Sequence, residues 1–184
     1  MNAIAIQNES LFEMTLKATV IYDDFDFATR AAALLERVAL RLHEAVAWEV
    51  KPWRLDLLKP AALAETAIID AADADLLVFA LSQTHSPPAE LMMWLEDWGA
   101  RRRIEDTAVI LLTPGERAAA TPFWHELKEF TARQGLAFLG SHEVREDGDS
   151  MRFIHELWQR RRPAAALEQF ADPPQPTRHW GLNE

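Results

Sequence analysis

Read from the start, the chain alternates short apolar runs with longer stretches of three-and-four spacing. Lys17 to Tyr22 (Lys-Ala-Thr-Val-Ile-Tyr) is apolar and β-branched, as a buried strand requires. Asp23-Asp24 follows, and then Phe27, Ala31, Leu34, Leu35, Val38 and Leu42 repeat at three and four, giving a helix one apolar face. Asp24 or Asp26 is its expected N-cap. A second strand runs from Val46 to Pro52, where the alternation of Val46, Trp48 and Val50 suggests an edge or half-covered position. Pro60 to Ala72 reads as an alanine-rich helix. Asp75 to Leu81 is the most hydrophobic stretch and predicts a central strand covered on both faces.

The second half repeats the scheme. Ser86-Pro87-Pro88 starts a helix whose inward face is Leu91, Trp94, Leu95 and Trp98. Thr107 to Leu112 is a fourth strand, stopped by Pro114-Gly115. Thr121-Pro122 starts a helix with Phe123, Leu127 and Phe130 inward, ending at Gly135. Leu136 to Leu139 is a short fifth strand, and Ser150 to Arg162 a last helix. Each strand-to-strand connection carries a helix, so the strands are parallel and the crossovers right-handed. Five such units predict a doubly wound α/β sheet in the flavodoxin-like order 2-1-3-4-5. Residues 1–16 read as an N-terminal extension and 17–162 as the domain. Residues 163–184 form a Pro-rich tail, with Trp180 expected to pack on the domain.

Composition narrows the function classes. The 184 residues are 49% hydrophobic and 26% charged, which is globular composition. A formal charge of −10 argues against nucleic acid as a partner, since phosphate binding needs surplus Lys and Arg. The triplets Arg101–Arg103 and Arg160–Arg162 close predicted helices, where cations complement the helix dipole. With no cysteine, disulfides, thiolate nucleophiles and Cys-based metal centres are excluded. No apolar run is long enough for a membrane span and no signal peptide opens the chain, so a cytoplasmic location is expected.

Ligands of open α/β sheets bind at the carboxyl ends of the strands, beside the switch point between strands 1 and 3. That rule selects Asp23 and Asp24 after strand 1, Trp53 and Arg54 after strand 2, and Ser82 and Thr84 after strand 3. Thr113 follows strand 4, and Ser141 strand 5. The two acids are weak candidates for a cation site; alternatively Asp24 only caps its helix and Asp23 is solvated. No Gly-rich loop follows strand 1, which speaks against a nucleotide cradle, and no cofactor is implied. Ser82 with His85 lacks the Gly-x-Ser-x-Gly turn of a hydrolase. His85, His142 and Asp23 come from strands too far apart to suggest a shared metal.

On these residues the chain resembles the receiver domains of response regulators, over Lys17 to Arg162. Val20-Ile-Tyr-Asp-Asp24 looks like the receiver's first strand with its acidic pair, and Thr107–Thr113 like the fourth with its hydroxyl residue. Asp75–Ala80 looks like the third strand, with Ala80 where the phosphate-accepting Asp would stand. The Lys that ends a receiver's strand 5 has no counterpart at Leu139-Gly140-Ser141. The resemblance therefore implies a pseudo-receiver that is not phosphorylated in the usual way. The chain is also similar to a group of bacterial proteins through Tyr22–Phe27, Lys51–Asp56 and Arg178-His-Trp-Gly181; that likeness implies a bacterial origin and brings no activity with it. Two readings follow. The first is a non-catalytic signalling or interaction module with a protein partner or self-association. The second is a small-molecule-binding protein or enzyme using the strand-end cleft. An open cleft of about 300 Å³ or more would favour the second over the first.

Overall fold

The computed structural model describes residues 14–41, 46–82, 89–114 and 121–140. The elements run β1 (Met14–Tyr22), α1 (Phe25–Arg41), β2 (Val46–Arg54), a 3₁₀ turn (Leu55–Leu58) and α2 (Ala61–Ala71). They continue with β3 (Leu76–Ala80), α3 (Ala89–Arg101), β4 (Ala108–Leu112), α4 (Pro122–Gln134) and β5 (Ala137–Gly140). All four strand pairings are parallel, and the sheet order is β2-β1-β3-β4-β5. This is the doubly wound, flavodoxin-like arrangement that the alternation of runs predicts. The strand β1 starts at Met14, ahead of the Lys17 boundary, and β2 continues past Pro52 to Arg54. An edge strand admits Pro52, because one side of its ladder is unpaired. The predicted helix at 150–162, the tail with Trp180, and the Ser86-Pro87-Pro88 start lie outside the described residues.

The core has two halves because side chains alternate across a strand. Leu76, Val78 and Ala80 of β3 join Ala18, Val20, Ala31, Leu34, Leu35 and Val38 on the α1 side. Leu77 and Phe79 join Ile21, Trp98, Phe123 and Phe130 on the side covered by α2, α3 and α4. Every residue of β3 is buried, which is why its sequence is apolar without alternation. On β2 the predicted alternation is only partly kept: Trp48 packs toward α1 but Val50, two residues on, is exposed, while Trp53 on the other face packs on the side of α2 and α3.

Polar groups fix the ends. Thr121 Oγ1 accepts from Trp124 N at 3.3 Å and Pro122 follows in the first turn of α4, as predicted. Gly135 ends α4 at φ 67°, a conformation that favours glycine. At the same amino end of the parallel strands, Asp75 Oδ2 accepts from Lys17 N at 2.8 Å, while Thr107 Oγ1 donates to Ala74 O at 2.9 Å. Arg101 lies in the last turn of α3, where the dipole argument puts a cation, but the triplet also ties elements together. Arg101 pairs with Glu65, Arg102 donates to Gln134 Oε1 and Gln134 O, and Arg103 pairs with Asp73. Among the described residues no helix is long and apolar enough to cross a membrane.

Candidate functional site

The carboxyl edge of the sheet is assembled around the end of β3. Leu81 N donates to Leu112 O at 2.9 Å, extending the pairing with β4 by one residue. On the other side Asp23, one residue beyond β1, grips Ser82. Its carboxylate accepts from Ser82 N at 2.8 and 3.0 Å and from Ser82 Oγ at 2.8 Å. The chain leaving β3 is thereby held from both neighbouring strands. Asp24 has a different task. Its Oδ1 accepts from Asp26 N at 2.8 Å and its carbonyl from Ala28 N at 3.1 Å, so it caps α1. Of the alternatives open for the acidic pair, Asp24 therefore takes the capping role, and Asp23 is a clamp rather than a solvated side chain.

Between the end of β2 and the first turn of α3 lies an open cleft of about 480 Å³. It is lined by Asp23, Arg54, Leu55, Asp56, Leu58, Lys59, Glu90 and Leu91. The cleft sits over β1, where the chain order steps to β2 on one side and to β3 on the other, which is the switch point of this sheet. Leu58 and Leu91 are buried beneath it and Leu55 is half-buried. Charged groups make the rim. Arg54 Nε and Nη2 donate to Asp56 Oδ1 and Oδ2 at 2.6 and 2.7 Å, a forked pair between residues two apart. Hydrogen bonding to Arg54 holds the Asp56 carboxyl below its usual range, and the same bond raises Arg54 above its own.

Of the residues selected from sequence, Asp23 and Arg54 line the cleft, and Ser82 is joined to it through Asp23. Trp53 points to the α2 side instead. Its Nε1 donates to Asp70 Oδ2 at 3.2 Å, and Lys51 Nζ donates to Asp70 Oδ1 at 2.8 Å, fastening α2 to the edge strand. That hydrogen bond raises the Lys51 pKa, against the effect of burial. Thr113 is half-buried after β4 and is not in the lining. Thr84, Ser141, His85 and His142 lie outside the described residues. Ala80 is fully buried in register with Tyr22 and Leu112. Among the described residues no three His, Asp or Glu side chains are grouped to hold a metal ion.

Sequence reasoning missed Leu55, Asp56, Leu58 and Lys59, because it ended the second strand at Pro52 and began the next helix at Pro60. A signal was present: Arg54-Leu-Asp-Leu-Leu58 places an acid two residues after an arginine, with leucines on either side. Compared with known proteins, the chain matches no family model and no curated sequence.

Proposed function

We propose that this domain binds a small molecule in the cleft at the carboxyl edge of its sheet. The observation that carries this reading is the open volume of about 480 Å³ at the switch point. Ligand sites typically occupy roughly 300–1,000 Å³ and combine an apolar lining with a few convergent polar groups. Leu55, Leu58 and Leu91 supply the first, and Asp23, Arg54, Asp56, Lys59 and Glu90 the second. Binding without chemistry is the simpler form, since Asp23 and Arg54 are already committed to neighbours. The test is a thermal-shift screen of the full chain against a metabolite library, repeated with Leu55→Trp, which fills the cleft from a half-buried position. Stabilisation by a ligand in the wild type and its loss in Leu55→Trp support the reading. Equal stabilisation of both proteins places the ligand elsewhere and ends it.

The second reading, a pseudo-receiver acting as a cytoplasmic signalling or interaction module, is favoured by one observation. Ala80, which the resemblance to receivers sets where their phosphate acceptor would stand, is a buried methyl group. On this reading the partner is a protein or a second copy of the chain. Pull-down from the source cells by a ligand-free chain, with a complex that survives the Leu55→Trp change, would favour it over the first.

A further inference from the structure

Resting on the cleft reading above, we infer that the ligand is a small zwitterion of the α-amino-acid type, carrying an ammonium and a carboxylate on an apolar body. The leucines under the cleft provide for the body; the rim charges decide the head group. Arg54 and Asp56 are closed on each other through two hydrogen bonds, so together they offer a ligand little net charge. Both carboxylate oxygens of Asp23 accept from Ser82, Oδ1 from the N–H and Oδ2 from the N–H and the hydroxyl. These bonds come from a neutral partner and leave Asp23 its negative charge; Lys59 and Glu90 keep theirs as well. Among the described residues neither side chain has an ionic partner, although each lines the cleft.

Among the described residues, Lys59 and Glu90 on the same cleft complement a ligand with the opposite pair, and the Asp23 carboxylate adds to the side that attracts the ammonium. Other head groups fit less well. A phosphate would face three carboxylates (Asp23, Asp56, Glu90) against two cations, one of them already paired. Like-charge repulsion then disfavours the phosphate ligands that many doubly wound sheets accept. A simple amine would meet Glu90 but leave its charge beside Lys59, and a simple acid would do the reverse. The zwitterion alone places attraction at both ends.

The experiment titrates the full chain with leucine and phenylalanine, following amide shifts by NMR. The same titrations use the decarboxylated amines (3-methylbutylamine, 2-phenylethylamine) and the deaminated acids (4-methylpentanoate, 3-phenylpropanoate). The expected result is saturable binding of the zwitterions, with amines and acids weaker by about tenfold or more, the order of one charge-assisted contact. Glu90→Gln should weaken the preference over the acids, to which Asp23 still contributes, and Lys59→Met should erase the preference over the amines. Both residues are exposed, so neither variant threatens folding. Amines or acids binding as tightly as the zwitterions, at shifts lost in Leu55→Trp, would overturn the zwitterion and leave the cleft standing. No shifts with any of the six probes would also overturn it, while the metabolite screen decides separately whether the cleft binds anything.

Discussion

Two carboxylates adjacent in sequence, Asp23 and Asp24, have separate duties because the chain changes from strand to helix between them. Asp23 stabilises the departure of the chain from β3; Asp24 satisfies amides at the start of α1. Replacing Asp23 with Ala leaves the Ser82 N–H and hydroxyl without this acceptor, so Asp23→Ala should lose about 1–3 kcal/mol in urea denaturation. A loss below a few tenths of that would mean solvent replaces the clamp without cost. The cleft pair gives a sharper acid-range expectation. Asp56 titrates below the ordinary aspartate value of 3.8, because Arg54 donates to its charged form. A carboxyl ¹³C titration should place its midpoint under 3.8 in the wild type and show it raised in Arg54→Met. The depressed pKa makes the pair a stabilising element above pH 3.8, and that contribution disappears as pH falls through the folded-state value.

At the scale of elements, α2 and α3 are joined to the sheet and to each other by tryptophans with satisfied indoles. Trp94 and Trp98 stack with ring centroids 6.5 Å apart, and their Nε1 groups donate to Ala64 O and Ala71 O at 3.1 and 3.0 Å. The helix α4 approaches closely enough that a Cβ on Gly99 would lie 3.0 Å from Phe130 Cζ. Trp98 is wholly buried, so Trp98→Phe both removes the bond to Ala71 and leaves a void. An expected loss of about 2–4 kcal/mol, read from chemical or thermal unfolding, follows from the cavity and hydrogen-bond terms together. On the other flank Lys51 and Trp53 hold α2 through Asp70. Because the Lys51 pKa is raised in the folded state, its contribution is complete below about pH 10.5 and is lost as pH rises through the higher folded value. The stability gap between wild type and Lys51→Met should therefore be flat at neutral pH and close only in strong alkali. These ties explain what the sequence could and could not reveal. The apolar run of Leu76–Ala80 and the capping signal Thr121-Pro122 are local, and both are legible. The pairing of Lys51 and Trp53 with Asp70 joins residues 17 or more apart, and nothing in either segment announces the other.

For the whole molecule, the five alternating units suffice to derive the sheet order, because parallel crossovers leave few topologies. The edge that carries the site follows from the same rule, and Asp23 and Arg54 were found by it. Leu55 to Lys59 were not, since a short 3₁₀ turn has too few residues to show a period. The same topology bears on phosphorylation. With Ala80 buried at the end of β3 and Asp23 held by Ser82, incubation with acetyl phosphate and Mg²⁺ should give no acid-labile adduct by intact mass. A stoichiometric adduct on Asp23 or Asp24 would restore phosphorelay as a function. The central claim, however, is that the cleft over β1 receives a ligand, and chemical-shift mapping of the full chain against a fragment library measures it most directly. Hits should move the amides of Asp23, Leu55, Lys59 and Leu91 together, and Leu55→Trp should abolish those shifts. Hits scattered over the surface, or shifts at the cleft that survive Leu55→Trp unchanged, would contradict it.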